Sequence, residues 1–205
     1  ARLQMILYIF CSFEDISSKN SIFVQNKVGQ CFTNMFNYIQ FNSDGSVEVE
    51  HLTVNREVTA DLMGRFLVFY VGMPRAARDI LTKQRDALRN DDRKIRTACY
   101  MAELAGETRT AIKTNKLSRV GEILHEGWQL KKSLTAGVTS EYLDGIYEAG
   151  LSAGAIGGKL LGAGAGGFML FYCEPEFQPA VKRSLGLREL KVRCDTEGSK
   201  IIYNE

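Results

Sequence analysis

A run dense in glycine constrains most strongly what this chain can fold into. It reads Gly-Gly-Lys-Leu-Leu-Gly-Ala-Gly-Ala-Gly-Gly over residues 157–167, and an apolar run follows at residues 168–173. Glycine permits positive φ and close approach of a ligand to the backbone. Successive main-chain N–H groups can then converge on an anion, usually a phosphate, and the apolar run is typical of a buried strand. The sequence therefore predicts a glycine loop leading into a strand, with these candidate ligand-binding residues: Gly162, Ala163, Gly164, Ala165, Gly166 and Gly167.

Two familiar phosphate motifs do not fit the glycine run. The spacing Gly162-x-Gly164-x-x-Gly167 satisfies the dinucleotide-binding pattern as a string, but that pattern must follow a strand and open a helix. Here a strand is predicted to follow, so the dinucleotide interpretation fails. A Walker A loop would need glycine at 153 and serine or threonine at 160, where this chain has Ala153 and Leu160.

Composition narrows the class of protein. A chain of 205 residues suits one mid-sized domain, or one domain with part of another. A net charge of +2 gives no basis for a nucleic-acid groove or an anionic membrane surface. The five cysteines are scattered without metal-binding spacing, which is typical of reduced thiols and predicts no metal site. The apolar segment 3–13 lacks a cleavage site and is too short to cross a bilayer, so the chain is expected to be cytoplasmic and not membrane-bound.

The pattern along the chain predicts an α+β fold. Residues 36–41 and 46–52 have strand composition and flank an Asp-Gly turn, which predicts a β-hairpin. Residues 66–71 are continuously apolar, as in a strand covered on both faces. Helices and later strands follow from 3–4 periodicity, caps and alternation: helices at 75–88, 91–113, 117–130, 140–150 and 175–185, and strands at 190–194 and 200–203. Such grouping predicts an antiparallel sheet with helices packed on one face.

Several segments together resemble one enzyme family. The stretch 159–168 resembles the C-terminal glycine motif of the GHMP small-molecule kinases, and 67–75 looks like the strand and turn that open their C-terminal domain. The stretch 124–132, Leu-His-Glu-Gly-Trp-Gln-Leu-Lys-Lys, resembles the branch of D-glycero-D-manno-heptose 7-phosphate kinases and fucokinase-like enzymes. Residues 144–147 and 197–202 extend the likeness, which runs from about residue 36 to residue 203.

This resemblance implies a fold and an activity. It implies a ferredoxin-like C-terminal domain with a four-stranded sheet at residues 61–205, preceded at residues 1–60 by a remnant of the N-terminal domain that includes the β-hairpin. It also implies a kinase that uses Mg·ATP and transfers the γ-phosphoryl group to a hydroxyl of a sugar or sugar phosphate. The glycine loop would then lie beside the phosphate end of the nucleotide; a merely tight β-turn is the alternative.

The sequence departs from the family pattern where the main chemistry would lie. The family's principal phosphate loop has the form P-x-x-x-G-L-x-S-S-A, and no such string occurs in these residues. The segment that would carry the catalytic aspartate corresponds to residues 24–30, which hold no carboxylate, so the catalytic residues remain unassigned. We expect an incomplete or inactive form of the kinase. The alternative is a non-catalytic module that binds a ligand or dimerises, and a homodimer is left open.

Four basic residues are candidates for contact with the substrate. Arg75 and Arg78 are spaced i, i+3 in the first turn of a predicted helix, and arginine can bind a phosphate through two parallel hydrogen bonds. Lys131 and Lys132 follow the helix that contains Trp128 and could meet an anionic substrate. For each pair the alternative is a solvated helix surface. Trp128 is expected in the core, and His125 is expected to be structural.

Overall fold

The computed structural model describes residues 36–42, 44, 46–72, 82, 86, 91–134, 136–162 and 166–192. In chain order its helices and strands are β1 (Asn37–Phe41), β2 (Val47–His51), α1 (Arg56–Gly64), β3 (Phe66–Gly72), α2 (Asp92–Lys113), α3 (Leu117–Leu134), α4 (Glu141–Ser152), β4 (Ala155–Leu160), β5 (Gly167–Cys173) and α5 (Gln178–Leu185). The fold is α+β, as predicted.

The first two strands form the predicted hairpin. They pair antiparallel, with Ile39 opposite Val49. The side chain of Asp44 accepts a hydrogen bond of 2.8 Å from the main-chain N–H of Ser46, a local bond that favours a turn. Helix α1, which follows shortly after β2, was not predicted from the sequence. Asn55 caps it by accepting from the N–H of Val58 at 2.7 Å, a common way for a helix to start.

The central sheet has the order β3-β5-β4, with both pairs antiparallel. The prediction that residues 157–167 form a loop is wrong for the first part of the run, because residues 157–160 belong to β4. β4 and β5 are the two arms of a hairpin, and glycine allows close packing in the first arm. A Cβ on Gly157 would lie 2.7 Å from the main-chain nitrogen of His125 and closer still to the carbonyl oxygen of Gly121. The backbone of α3 therefore rests directly on β4.

The helices cover both faces of this sheet. Alternate residues of a strand point to opposite faces. Phe66, Val68, Leu170 and Tyr172 enter one cluster of buried residues with side chains of α2 and α3. The intervening residues of β3 and β5 enter a second cluster with side chains of α4 and α5 and with Trp128 of α3.

The prediction of helices on one face only is therefore wrong. Helices cover both faces because β3 and β5 are continuous apolar runs. Such a run buries both faces of its sheet.

Three helices were predicted close to their observed positions: α2 at 91–113, α3 at 117–130 and α4 at 140–150. The side chain of Asp91 caps α2, and that of Ser140 caps α4. Helix α5 begins later than predicted: Pro175 lies in the turn before it, and Pro179 is the proline in its first turn. Gly186 ends α5 with φ 58°, a left-handed cap that glycine adopts readily.

Within the described residues the central sheet has three strands, so the fourth is not confirmed. The strand predicted at 190–194 is replaced, as far as residue 192, by a single antiparallel bridge between Glu189 and Phe69. Hydrogen bonds of 3.0 Å from Tyr70 N–H to Arg188 C=O and 2.8 Å from Leu190 N–H to Val68 C=O flank that bridge. The predictions for residues 1–35, 193–194 and 200–203, and nearly all of those for 75–88, lie outside the described residues.

Candidate functional site

The predicted site lies between the two strands of the β4–β5 hairpin. We call residues 161–166 the glycine turn. Its closing hydrogen bond runs from Leu161 N–H to Phe168 C=O at 2.8 Å. Gly162 is exposed, whereas Gly166 and Gly167 are buried. Ala163, Gly164 and Ala165 lie outside the described residues, so the structure places the two ends of the turn.

Glycine is needed at both ends of the turn. Gly162 has φ 85°, Gly166 has φ 144° and Gly167 has φ 102°, and residues with a Cβ rarely adopt such angles. A Cβ on Gly162 or Gly167 would meet no atom within 4 Å. Glycine is therefore required at Gly162 and Gly167 by the backbone conformation. At Gly157 it is required because the neighbouring helix leaves no room for a Cβ.

A buried lysine contacts the turn. The Nζ of Lys131 donates a hydrogen bond of 2.8 Å to the carbonyl oxygen of Gly162. Lys131 is 3% exposed because it continues the buried stripe of α3. That stripe has a spacing of three or four residues, as expected for one face of a helix, and includes Leu117, Val120, Leu124, Trp128, Lys131 and Leu134.

Burial changes the protonation of this lysine. Removing an ammonium group from water disfavours its charged form, and burial accordingly lowers the pKa of Lys131 to about 8. A phosphate beside the glycine turn would have the opposite effect, since a nearby negative charge stabilises the ammonium. The ammonium group of Lys131 therefore loses its proton more readily than that of an exposed lysine.

The other predicted substrate residues are separated from this contact. Lys132 lies 3.2 Å from Asp144 Oδ1 of α4, and Asp144 also accepts from Thr139 Oγ1 at 3.1 Å. The charge of Lys132 is therefore balanced within the protein. Arg75 and Arg78 lie outside the described residues. The substrate roles of all four residues remain predictions.

An aromatic cluster supports α3 near the turn. Trp128 is 1% exposed, as expected for a core residue. His125 Nδ1 lies 3.0 Å from Tyr147 Oη, and the ring of Tyr147 stacks on that of Phe171. Burial raises the pKa of Tyr147 well above its ordinary value, so it remains neutral. This arrangement fits the structural role predicted for His125.

Sequence reasoning missed the contact between Lys131 and Gly162. A signal for it existed, because the 3–4 spacing of the apolar stripe extends to residue 131 and leaves residue 132 on a different side of the helix. The adjacent pair of lysines obscured that signal by resembling an exposed charged surface.

No helix among the described residues is both long and apolar enough to cross a membrane.

The described ends of the turn and Lys131 do not include every group that phosphoryl transfer requires. Transfer needs a group that orients the acceptor hydroxyl and, with Mg·ATP, ligands for the metal. Within the described ranges no three His, Cys, Asp or Glu side chains are grouped to hold a metal ion.

One family model matches part of the chain. Residues 108–186 match the family model described as GHMP kinases C terminal. The match runs from the second half of α2 through the glycine turn to the residue that ends α5. This part of the chain is similar to the GHMP kinase C-terminal family, and the resemblance predicted from the sequence is confirmed.

Two curated relatives narrow the comparison. The chain is 28% identical over 140 residues to the D-glycero-alpha-D-manno-heptose 7-phosphate kinase of Campylobacter jejuni, covering 68% of this chain and 41% of that protein. It is 31% identical over 125 residues to a bifunctional fucokinase/GDP-fucose pyrophosphorylase of Arabidopsis thaliana, covering 60% of this chain and 12% of that protein. The chain thus spans less than half the length of either relative.

Solved structures share the fold. The L. major mevalonate kinase in complex with R-mevalonate has a TM-score of 0.60 and 16% identity, covering 73% of this chain and 44% of that one. A Lactococcus lactis galactokinase complexed with galactose has a TM-score of 0.58 and 19% identity, covering 82% of this chain and 53% of that one. At these identities the likeness shows the fold alone.

Proposed function

We propose that this chain is the C-terminal part of a GHMP-type sugar kinase that acts on a heptose phosphate or a similar sugar. The observation that carries the proposal is the glycine turn, held on a β-hairpin within the matched family segment and contacted by a buried lysine. The similarity to a heptose 7-phosphate kinase and to a fucokinase supports a sugar as the acceptor. The complete enzyme would transfer the γ-phosphoryl group of ATP to a sugar hydroxyl.

The structure is compatible with part of the ATP site. Glycines with positive φ at both ends of the turn allow main-chain N–H groups to approach a phosphate closely. We assign the turn to the phosphate end of ATP, where it would neutralise and position charge. Mg²⁺ would neutralise charge on the transferred group, and its ligands would come from parts of the kinase other than the described residues.

We further propose that the 205-residue chain alone does not transfer phosphoryl groups. The family's principal phosphate loop is not among its residues, and the segment expected to hold the catalytic carboxylate has none. Phosphoryl transfer depends almost entirely on positioning and charge neutralisation. One side of the site is therefore insufficient for turnover.

An assay of ADP release tests this proposal directly. The purified chain is incubated with Mg·ATP and D-glycero-D-manno-heptose 7-phosphate, and ADP is measured by a coupled assay against a blank without sugar. We expect no difference between sample and blank. Robust sugar-dependent ADP release would contradict the proposed inactivity and would support an active kinase.

Ligand titrations test the assignment to a kinase. Isothermal calorimetry with Mg·ADP and, separately, with the heptose phosphate measures which ligand the chain retains. Affinity for ADP that is lost when Gly162 is replaced by alanine would support the proposed ATP site. Affinity for the sugar phosphate without any affinity for ADP would favour a non-catalytic binding module instead.

A further inference from the structure

The bond between Lys131 and Gly162 joins two elements that the chain separates by some thirty residues. Lys131 lies in the last turn of α3, and Gly162 lies at the start of the glycine turn. The middle of α3 already rests on β4 through Gly157 and Gly121. The lysine therefore extends a close helix–strand contact into the turn.

The bond acts on the main chain of the turn. A peptide unit is planar, so a hydrogen bond to its carbonyl oxygen orients the whole unit. Gly162 has no Cβ and, with φ 85°, could adopt other conformations at little cost. A strong hydrogen bond from a buried donor is the kind of restraint that selects one of them.

We propose that Lys131 is a positioning residue that holds the start of the glycine turn, at Gly162, in one conformation through the carbonyl of Gly162. This inference rests on the proposed function, because it fixes the Gly162 end of the turn that would receive phosphate. Lys131 acts here on the turn and not by contact with the sugar. Removing the side chain of Lys131 leaves Gly162 in place but releases its backbone.

The hydrogen bond from Lys131 to Gly162 can be followed by changing the protonation of Lys131. Its pKa of about 8 means that its charge changes under conditions in which the protein remains testable. Other titratable groups lie on the elements around it: His125 and Lys132 on α3, Asp144 and Tyr147 on α4, and Lys159 on β4. A variant of Lys131 is therefore needed to assign any titration to this residue.

The test observes the carbonyl group that accepts the hydrogen bond. The full chain is labelled with glycine carrying ¹³C at its carbonyl carbon, and the Gly162 signal is identified by its disappearance in Gly162→Ala. The signal is followed by NMR from about pH 7 to about pH 10, across the lowered and ordinary pKa values of lysine. We expect it to titrate with a midpoint near pH 8 in the wild type, to stay constant in Lys131→Met, and to stay at its low-pH position in Lys131→Arg.

Lys116→Met is the matched control, since Lys116 is exposed beyond the end of α2. It should leave the Gly162 titration unchanged. A Gly162 signal that does not titrate near pH 8 in the wild type, or that still titrates in Lys131→Met, overturns the inference. Methionine removes a buried charge and keeps an unbranched chain, so this variant is expected to fold.

Binding of Mg·ADP separates this inference from the proposed function. If the turn receives phosphate, Lys131→Met should weaken ADP binding about tenfold, as expected for loss of a charged hydrogen bond. Unchanged affinity in Lys131→Met overturns the positioning role. A wild-type chain without affinity for ADP counts against the proposed function, while the carbonyl titration still decides the role of Lys131.

Discussion

At the scale of single residues, two glycines in the same run have different roles. Gly162 has positive φ and open space around its Cα, whereas Gly157 has neighbours that leave no room for a Cβ. The first allows a turn to form, and the second allows α3 to approach β4. Both appear identical in the sequence, since the letter G does not distinguish conformation from packing.

Replacing Gly157 with alanine should destabilise the protein by about 3 kcal/mol, since the new methyl group would overlap main-chain atoms of α3 that cannot move independently. Chemical denaturation measures the change in the free energy of unfolding. Gly106→Ala is the control: Gly106 lies within α2, where an added Cβ would meet no atom within 4 Å, and alanine should stabilise the helix by about 0.5–1 kcal/mol. Equal effects of both substitutions would contradict the close contact.

The buried Lys131 should give stability a particular dependence on pH. Its pKa is about 8 in the folded protein, against an ordinary value of 10.5. Between these values the unfolded chain binds more protons than the folded one, so the free energy of unfolding rises with pH. The rise attributable to Lys131 should be of the order of 3 kcal/mol at most, complete above the ordinary pKa and absent below the lowered one.

Urea denaturation across this pH range measures the effect as the difference between the wild type and Lys131→Met. The difference removes the contributions of other groups that titrate in the same range. Lys116→Met should follow the wild type. Parallel curves for the wild type and Lys131→Met would show that the lysine is not buried as described.

At the scale of elements, an ion-pair cluster lies where β3 begins and β5 ends. Arg65, just before β3, contacts Glu174, just after β5, and binds Asp61 of α1 at 2.9 and 3.1 Å. Glu174 also accepts from Ser118 Oγ of α3 at 3.0 Å. These charged partners raise the pKa of Arg65 further above its ordinary value. The cluster connects α1, the sheet and α3 at one end of the fold.

Glu174→Gln should therefore cost about 1–2 kcal/mol, more than a surface pair and less than a fully buried one. The side chains of Arg65 and Glu174 are 18% and 20% exposed, which sets this intermediate expectation. Glu122→Gln is the control, because Glu122 pairs with Arg119 on the surface of α3 with 55% exposure. Urea midpoints at neutral pH provide the comparison, and a loss no larger than that of the control would contradict a role for the cluster.

The elements themselves differed in how well the sequence predicted them. α2, α3 and α4 were predicted because their apolar periodicity and caps are local. α1 was missed because it is short and only two of its residues, Thr59 and Leu62, are buried. β4 was missed because Ala-Ile-Gly-Gly-Lys-Leu has little strand propensity; pairing with β5 and packing against α3 make it a strand.

At the scale of the whole molecule, the hairpin and the central sheet share a core. Phe36 and Leu52 flank the hairpin, and both are buried in the cluster that contains Leu62, Val68 and Leu170. Glu50 of β2 also pairs with Arg109 and Lys113 of α2. The boundary at residues 60 and 61 remains a prediction about domains, but the hydrophobic core extends across it.

Phe36→Ala should accordingly destabilise the whole molecule by about 3–4 kcal/mol. Trp128 is the single tryptophan and lies in the second cluster, so its fluorescence reports on a part of the core away from Phe36. We expect fluorescence and far-ultraviolet circular dichroism to shift together in denaturant, as in a single cooperative unit.

Tyr142→Ala is the control, since this side chain is 60% exposed, and it should change stability by less than about 0.5 kcal/mol. If Phe36→Ala leaves the Trp128 transition in place, the hairpin unfolds on its own. That result would support a separate domain before residue 61.

The sequence by itself determined the class of fold, most of the helices, the hairpin and the family resemblance. These follow from local periodicity, from caps and turns, and from an ordered set of motifs, all of which are properties of neighbouring residues. Only the tertiary structure decided that helices cover both faces of the sheet, that the first part of the glycine run is a strand, and that Lys131 is buried against the turn while Lys132 pairs with Asp144. These depend on which surfaces meet, and the contact between residues 131 and 162 exists only once α3 lies on β4.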